Sequence, residues 1–332
     1  LEIIAEIPAG TASSPPIRPL TCIRIMTGGM VPSGADAIVP VERTRIDTSG
    51  RVILAGDVRP GDHIRRAGSD LRAGEVALEP GRIITPASIA VLASLGHAKV
   101  EVAREPRVVV LTTGNELVDA AESPGPGQIR DSNGPSLAAQ VVVAGGKVLS
   151  VLRAGDDRQV IRKYLESALE ADLIVVSGGV SVGEYDFVKD ELVAIGMDLG
   201  FWKVRQKPGK PLAFGTLAGT LVFGLPGNPV SSAVCFYEYV RPALARMLGR
   251  DECIAPLIPA VLKSGISKKA GVHHFVRGYA EWNAGELVVD ASGPQGSHVA
   301  STLARANCLI HIAEGLEDVA AGSLVDLEWL AW

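Results

Sequence analysis

The chain is 332 residues long, with 47% apolar and 21% charged side chains and a formal net charge of −5. This is enough apolar material for more than one packed core, which excludes a disordered chain, and the absence of a long basic run excludes a general nucleic-acid binder. No uncharged apolar run reaches the roughly 18 residues a bilayer-spanning helix needs, no signal peptide is visible, and the four widely spaced cysteines, with no CxxC pair, read as isolated reduced thiols of a cytoplasmic protein.

Residues 1–65 read as mostly β, with short apolar runs at Ile38–Val41 and Val52–Leu54 between turn clusters, and a Pro/Ser-rich loop from Thr11 to Pro19. Across 66–104 the character changes: Pro86 opens a helix-like stretch that Gly96 stops, the usual placement of Pro at the start and Gly past the end. From 105 to 252, strand and helix alternate. Val108–Leu111, Val148–Leu152, Leu173–Val176 and Leu221–Phe223 predict strands. Ser136–Ala144, a segment capped by Asp157, Phe187–Ile195 and Val230–Leu248 predict helices. Near-continuous apolar strands separated by helices predict an α/β domain, a doubly wound parallel or mixed sheet covered on both faces. Residues 253–332 carry short strands between Gly and Pro turns and predict a small β-barrel-like domain.

In an open parallel sheet, ligands bind beyond the carboxyl ends of the strands, and four motifs fall there. Thr112-Thr113-Gly114-Asn115-Glu116 follows the first strand; its small residues free backbone N–H groups to face an anion, or form an ordinary turn. Ser177-Gly178-Gly179-Val180-Ser181-Val182-Gly183-Glu184-Tyr185-Asp186 has the composition of a phosphate cradle, and Asp186 either caps the next helix or holds Mg²⁺. Phe201 to Pro211 carries Lys203, Arg205, Lys207 and Lys210; alternation along a strand would put the first three on one face, and Pro208, Gly209 and Pro211 would fix an oxyanion site. Pro226-Gly227-Asn228-Pro229-Val230-Ser231 leads into the long helix, whose N-terminus carries partial positive charge. Asp156-Asp157 adds a weaker element in which Asp157 reads as a cap and Asp156 stays open. Thr27, Arg277 and Ser297 stand in further polar stretches outside this domain. These residues describe a site for a phosphorylated anion with a divalent metal, with catalysis by positioning and electrostatics rather than by a nucleophile triad.

Together, Val-Ser-Gly-Gly-Val-Ser-Val-Gly-Glu-Tyr-Asp (176–186), Lys-Pro-Gly-Lys-Pro (207–211) and Leu-Pro-Gly-Asn-Pro-Val-Ser (225–231) resemble the MoeA family of molybdopterin molybdenumtransferases, related to the gephyrin E domain. Arg24–Gly29 and Gln295–His298 resemble its other domains, so the match spans essentially the whole chain. The resemblance implies four family domains: II at 1–65, a remnant of I at 66–104, III at 105–252 and IV at 253–332. It implies Mg²⁺-dependent insertion of molybdenum from molybdate into adenylylated molybdopterin with release of AMP, a homodimer, and the pathway's adenylyltransferase as a partner. By motif, Glu116, Asp157 (or Asp156) and Asp186 would be the functional carboxylates. Lys203, Lys207, Lys210, Thr27, Arg277 and Ser297 would hold substrate. Asn115 stands where the family shows Asp, which is expected to weaken the metal site. The sequence opens on Leu1 without the family's Asp-Gly-Tyr-Ala helical segment, so a missing upstream piece is expected. An adenylyltransferase, a gephyrin-like scaffold and a degenerate paralogue remain alternatives.

Overall fold

A computed structural model describes residues 1–11, 14–180, 187–251 and 253–330. It divides into two compact units, Leu1–Ala77 and Leu78–Trp332.

The first unit holds β1 (Glu2–Ile7) paired in parallel with β2 (Thr21–Ile25), and β3 (Thr44–Ile46) antiparallel to β4 (Val52–Leu54). The β1–β2 pair escapes the sequence because its partners lie far apart along the chain. Ile38–Val41 is not a strand: a short 3-10 turn, Val41–Arg43, follows Pro40 there. A proline with no N–H to donate disfavours a regular strand at that point.

The second unit begins with helix α1 (Pro86–Ser94). Thr85 Oγ1 accepts the Ser88 N–H at 3.2 Å, and Pro86 occupies the first turn. The α/β body follows: β5 (Arg107–Thr113), β6 (Leu117–Val118), β7 (Ile129–Arg130), α2 (Asn133–Val143), β8 (Lys147–Ala154), α3 (Arg158–Ser167), β9 (Leu173–Ser177), α4 (Phe187–Ala194), β10 (Asp198–Trp202), β11 (Gln206–Lys207), β12 (Ala213–Leu217), β13 (Thr220–Leu225), α5 (Pro229–Cys235) and α6 (Arg241–Met247). A π-turn, Phe236–Val240, joins α5 and α6 into one long helix. Strand order is β10-β12-β13-β9-β5-β8. Strands β8, β5, β9 and β13 run parallel, and β12 is antiparallel to both β13 and β10.

Alternation explains how two cores grow from one sheet. Val109 and Leu111 of β5, with Ile174 and Val176 of β9, face α3 and α4. Val108 and Val110, with Leu173 and Val175, face α2 and the long helix. Every residue of β9 is buried. At the amino edge of the sheet, Asp172 ties β9 to the start of β5. Its carboxylate accepts from Arg104 Nη1 at 2.7 Å, from the Arg107 N–H at 2.7 Å and from the Arg107 side chain. The Arg104 hydrogen bond holds this carboxyl well below the usual carboxylate range, against the opposing effect of burial.

The remaining elements are β14 (Ile258–Leu262), β15 (Ile266–Ser267), β16 (His273–Asn283), β17 (Glu286–Ala291), α7 (Ser301–Arg305), β18 (Cys308–Ile312), β19 (Asp318–Val319) and β20 (Leu324–Trp329). The order β16-β17-β14-β20-β18 closes on itself through a β16–β18 pairing, so this part is a barrel. Strand β11 joins its rim in parallel with β16, pairing Lys207 with His274. The loop that links the α/β sheet to this rim is therefore held from both sides. No helix among the described residues is long and apolar enough to cross a membrane.

Candidate active site

Parallel strands deliver four loops to the carboxyl edge of the sheet. After β5, Gly114 donates its N–H to the Ala154 carbonyl at 3.1 Å, joining the ends of β5 and β8. Asn115 and Asp156 then clasp one another. The Asn115 N–H donates to Asp156 Oδ2 at 3.2 Å, and the Asp156 N–H donates to Asn115 Oδ1 at 3.0 Å. Asp157 caps α3, its Oδ1 accepting the N–H groups of Gln159 at 2.8 Å and Val160 at 3.1 Å. Glu116 is exposed at the same edge.

After β9, the chain turns at Gly178 (φ +99°), whose N–H donates to the Leu225 carbonyl at 3.0 Å. A Cβ here would fall 2.6 Å from the Thr113 carbonyl, so glycine is required. Gly179 follows with φ +65°. Thr113 Oγ1 is buried beside these glycines with no hydrogen-bond partner among the described residues. Ser177 is 2% exposed and its hydroxyl is structural: it meets Ser232 Oγ at 3.1 Å, donates to the Pro226 carbonyl at 3.2 Å, and accepts from Asn133 Nδ2 at 2.9 Å. Asn133 also donates to the Gly227 carbonyl at 2.7 Å, so one amide ties three loops. The helix predicted from Ser136 starts three residues earlier, at Asn133. The partners of Asn133 lie 44 and 94 residues away, and no local signal points to them. Asn228 is exposed ahead of Pro229, which occupies the first turn of α5. Ser181 and Asp186 lie outside the described residues.

The cation run does not form one alternating strand. β10 ends at Trp202, and Lys203 has φ +70°, which breaks the alternation. Lys203 Nζ lies 3.8 Å from the centre of the Trp202 ring, where Lys189 Nζ also stands at 4.0 Å. Arg205 pairs with Glu314 at 3.2 Å. Lys207 and Lys210 are exposed, while Pro208 and Gly209 between them are buried. Beneath this loop, Gln206 Nε2 donates to the Pro208 carbonyl at 3.0 Å, and Gln206 Oε1 accepts from the Tyr239 hydroxyl. Cys235 Sγ donates to the Gly209 carbonyl at 3.5 Å. A Cβ on Gly209 (φ +95°) would collide with Cys235 Sγ.

A cleft of about 410 Å³ opens over this loop. Lys207, Lys210, Pro211 and Ser231 line one side, and Gln295, Gly296 and Ser297 from the barrel line the other. The Val230 N–H donates to the Ser297 carbonyl at 3.1 Å and pins the two sides together. Arg277 does not line the cleft. It is fully buried: Nη2 donates to the carbonyls of Pro294 and Gly296 (3.1 Å each), Nη1 to that of Gln295 (3.3 Å), and Nε to Thr302 Oγ1 (3.1 Å). Gln295 answers by accepting the Arg277 N–H at 3.0 Å and donating to its carbonyl at 3.1 Å. Burial lowers the Arg277 pKa to about 10. The motif match implied that this guanidinium holds substrate, and a lone arginine in a polar stretch gives no sign that carbonyls will surround it. Thr27 lies in the first unit, exposed on a turn.

Three family models match consecutive parts of the chain: the MoeA N-terminal region (domains I and II) at residues 2–96, a probable molybdopterin-binding domain at 109–246, and the MoeA C-terminal region (domain IV) at 259–330. Molybdopterin molybdenumtransferase 2 of Mycobacterium tuberculosis is 41% identical over 329 residues, covering 97% of this chain and 80% of that protein. The chain belongs to the MoeA family of molybdopterin molybdenumtransferases. A second member, from Haemophilus influenzae, is 37% identical and covers 93% of this chain and 77% of its own length. The crystal structure of the MoeA protein from Pyrococcus horikoshii OT3 superposes with a TM-score of 0.82 at 28% identity, over 99% of this chain and 81% of that one. The MoeA architecture accounts for the three parts described here, a mostly β N-terminal part, a molybdopterin-binding-type α/β body and a C-terminal barrel.

Proposed function

We propose that the chain inserts molybdenum from molybdate into adenylylated molybdopterin and releases AMP, a step of molybdenum-cofactor biosynthesis. The observation that carries this reading is the cleft, which two lysines and two serines line above a loop fixed from beneath. Lys207 and Lys210 would bind oxyanion charge through charge-assisted hydrogen bonds, with Ser231 and Ser297 supplying neutral donors. Arg277 supports this site by holding the 294–297 loop. The turn at Gly178–Gly179, with the Thr113 hydroxyl that has no partner among the described residues and the loop through Pro226, Gly227 and Asn228, suits the pterin phosphate. Trp202, over whose ring Lys203 lies, donates its indole N–H to the Val180 carbonyl at the end of this turn at 3.0 Å.

The carboxylates fit Mg²⁺. Glu116, Asp156 and Asp157 are all-oxygen donors at the ends of neighbouring strands, and Asp156 Oδ1 and Asp157 Oδ2 take no hydrogen bond among the described residues. Mg²⁺ needs only one or two carboxylates alongside phosphate oxygens and waters. When bound, the ion would neutralise phosphate charge, and Glu116 and Asp156 would hold it.

We further infer a homodimer. Helix α1 is apolar along most of its length yet has no buried residue, and Ile84, Ile89 and Leu95 are exposed. Such a surface suits a second copy. The free cysteines suit the cytoplasm, and the pathway's adenylyltransferase would supply the substrate. Nucleic acid and membrane are not partners in this reading.

The test is molybdate-stimulated AMP release from adenylylated molybdopterin with Mg²⁺, for the wild type and Lys207→Ala. Because Lys207 is exposed, the variant should keep its Tm and lose about 10- to 100-fold in rate, the worth of one charged hydrogen bond. Peptide binding with no AMP release from either protein would favour a scaffold.

A further inference from the structure

The seam between the long helix and the barrel holds a charge cluster that the cleft does not use. Glu238, in the π-turn, and Arg241 come from the helix; His311 of β18 and Glu328 of β20 come from the barrel. Arg241 Nη2 donates to Glu328 Oε1 at 2.6 Å, and His311 Nε2 stands 3.5 Å from Glu328 Oε2. One ligating atom each from Glu238, His311 and Glu328 lie within 4.8 Å of one another. Glu328 is 2% exposed, and Glu238 Oε1 and His311 Nε2 are buried with no hydrogen-bond partner among the described residues.

The charges do not close as drawn. Two carboxylates face one guanidinium. The other titratable neighbours are His311, with the His273 ring 5.3 Å from it, and Cys235 and Tyr239 on the helix itself. An uncompensated charge away from water is costly, and a single proton removes it. A protonated Glu238 can donate to Glu328, whose other oxygen already accepts from Arg241.

We propose that Glu238 and Glu328 share one proton across this seam, and that the helix–barrel contact loosens when the proton leaves. Burial first, and then the charge of Glu328, push the Glu238 carboxyl up to about 8. A group raised in this way takes up its proton on folding. Its contribution to stability is therefore complete below the ordinary carboxylate range and is lost as pH rises through the folded-state value. The position gives the device a consequence, which rests on the proposed function. Ser231 lies two turns earlier on the same helix, and the 295–297 loop is clasped to the barrel by Arg277, so the seam joins the same two elements that carry the cleft walls and supports the Val230–Ser297 bond between them.

The experiment is thermal unfolding of the full chain from about pH 6 to about pH 9.5, bracketing the raised value. The wild type should lose several degrees of Tm toward the alkaline end, and Glu238→Gln should remain flat there. An alkaline decline undiminished in Glu238→Gln would overturn the proposal. If that variant does not fold, infrared spectroscopy of the wild type decides: a buried protonated-carboxyl band at neutral pH that vanishes on alkalinisation is expected, and its absence is fatal. Added Zn²⁺ that raises the wild-type Tm at neutral pH but not that of Glu238→Gln would also overturn it, since the cluster would then take a cation in place of the proton. None of these readouts depends on catalysis, so failure of the seam and failure of the proposed reaction are told apart.

Discussion

The two edges of the central sheet carry similar residues to opposite ends. At the amino edge, Asp172 is surrounded by Arg104, Arg107 and a backbone N–H, so that its carboxylate is satisfied within the fold. At the carboxyl edge, among the described residues, Asp156 and Glu116 keep oxygens without hydrogen bonds and Thr113 keeps a buried hydroxyl without a partner, and Lys207 and Lys210 stand open over a cleft. One edge spends its polar groups on holding strands together, and the other leaves them for a ligand. Substitutions at the first should therefore alter stability alone, and those at the second should alter binding and rate.

The largest expected effect comes where both demands meet. Gly209→Ala should cost about 3 kcal/mol or more, because its Cβ would strike Cys235 and its φ disfavours any side chain. It should also abolish AMP release by displacing the lysines; chemical denaturation and the AMP assay would read the two losses. If the variant folds normally and works, the loop is not held as described.

Asp172→Asn should come next, at about 1.5–3 kcal/mol for the lost charged hydrogen bonds, with kcat/KM unchanged. The sign with pH follows from the depressed carboxyl. Its contribution is present above the ordinary aspartate range and is lost as pH falls through the lower folded-state value. The wild type should then lose more stability than the variant on acidification, which denaturation midpoints at successive pH values would measure. A change in turnover at neutral pH would break the contrast between the edges.

The smallest effect is Asp157→Ala, about 1 kcal/mol for a lost helix cap. Mg²⁺ titration of the AMP assay sharpens the comparison here. A shift in Mg²⁺ requirement much beyond the stability loss would mean that Asp157 serves the ligand as well as the helix.

Much of this was legible in the sequence. The runs 108–111 and 173–176 announced buried strands because both faces of the sheet are covered, and the Asp157 cap was readable because capping is local. The Lys-Pro-Gly-Lys-Pro loop was readable because its prolines and glycine fix its shape. What escaped depends on residues distant in sequence. Asn133 acts through Ser177 and Gly227, and Gln295 through Arg277. The alternation expected for Lys203, Arg205 and Lys207 failed because Lys203 adopts a left-handed backbone that composition does not announce. Arg277 was read as a substrate-holding cation, whereas its guanidinium is taken up by the carbonyls of Pro294, Gln295 and Gly296 and the hydroxyl of Thr302.

Cys235 gives the lysine loop a built-in clock. Its thiol sits under Gly209, donates to that residue's carbonyl, and is pushed by burial far above the ordinary thiol range. A thiol-directed alkylating reagent can reach it only while the loop has lifted away, so the rate of labelling at this position counts loop openings. A molecule resting in the cleft would slow that count in proportion to its occupancy, and would report its arrival without any turnover.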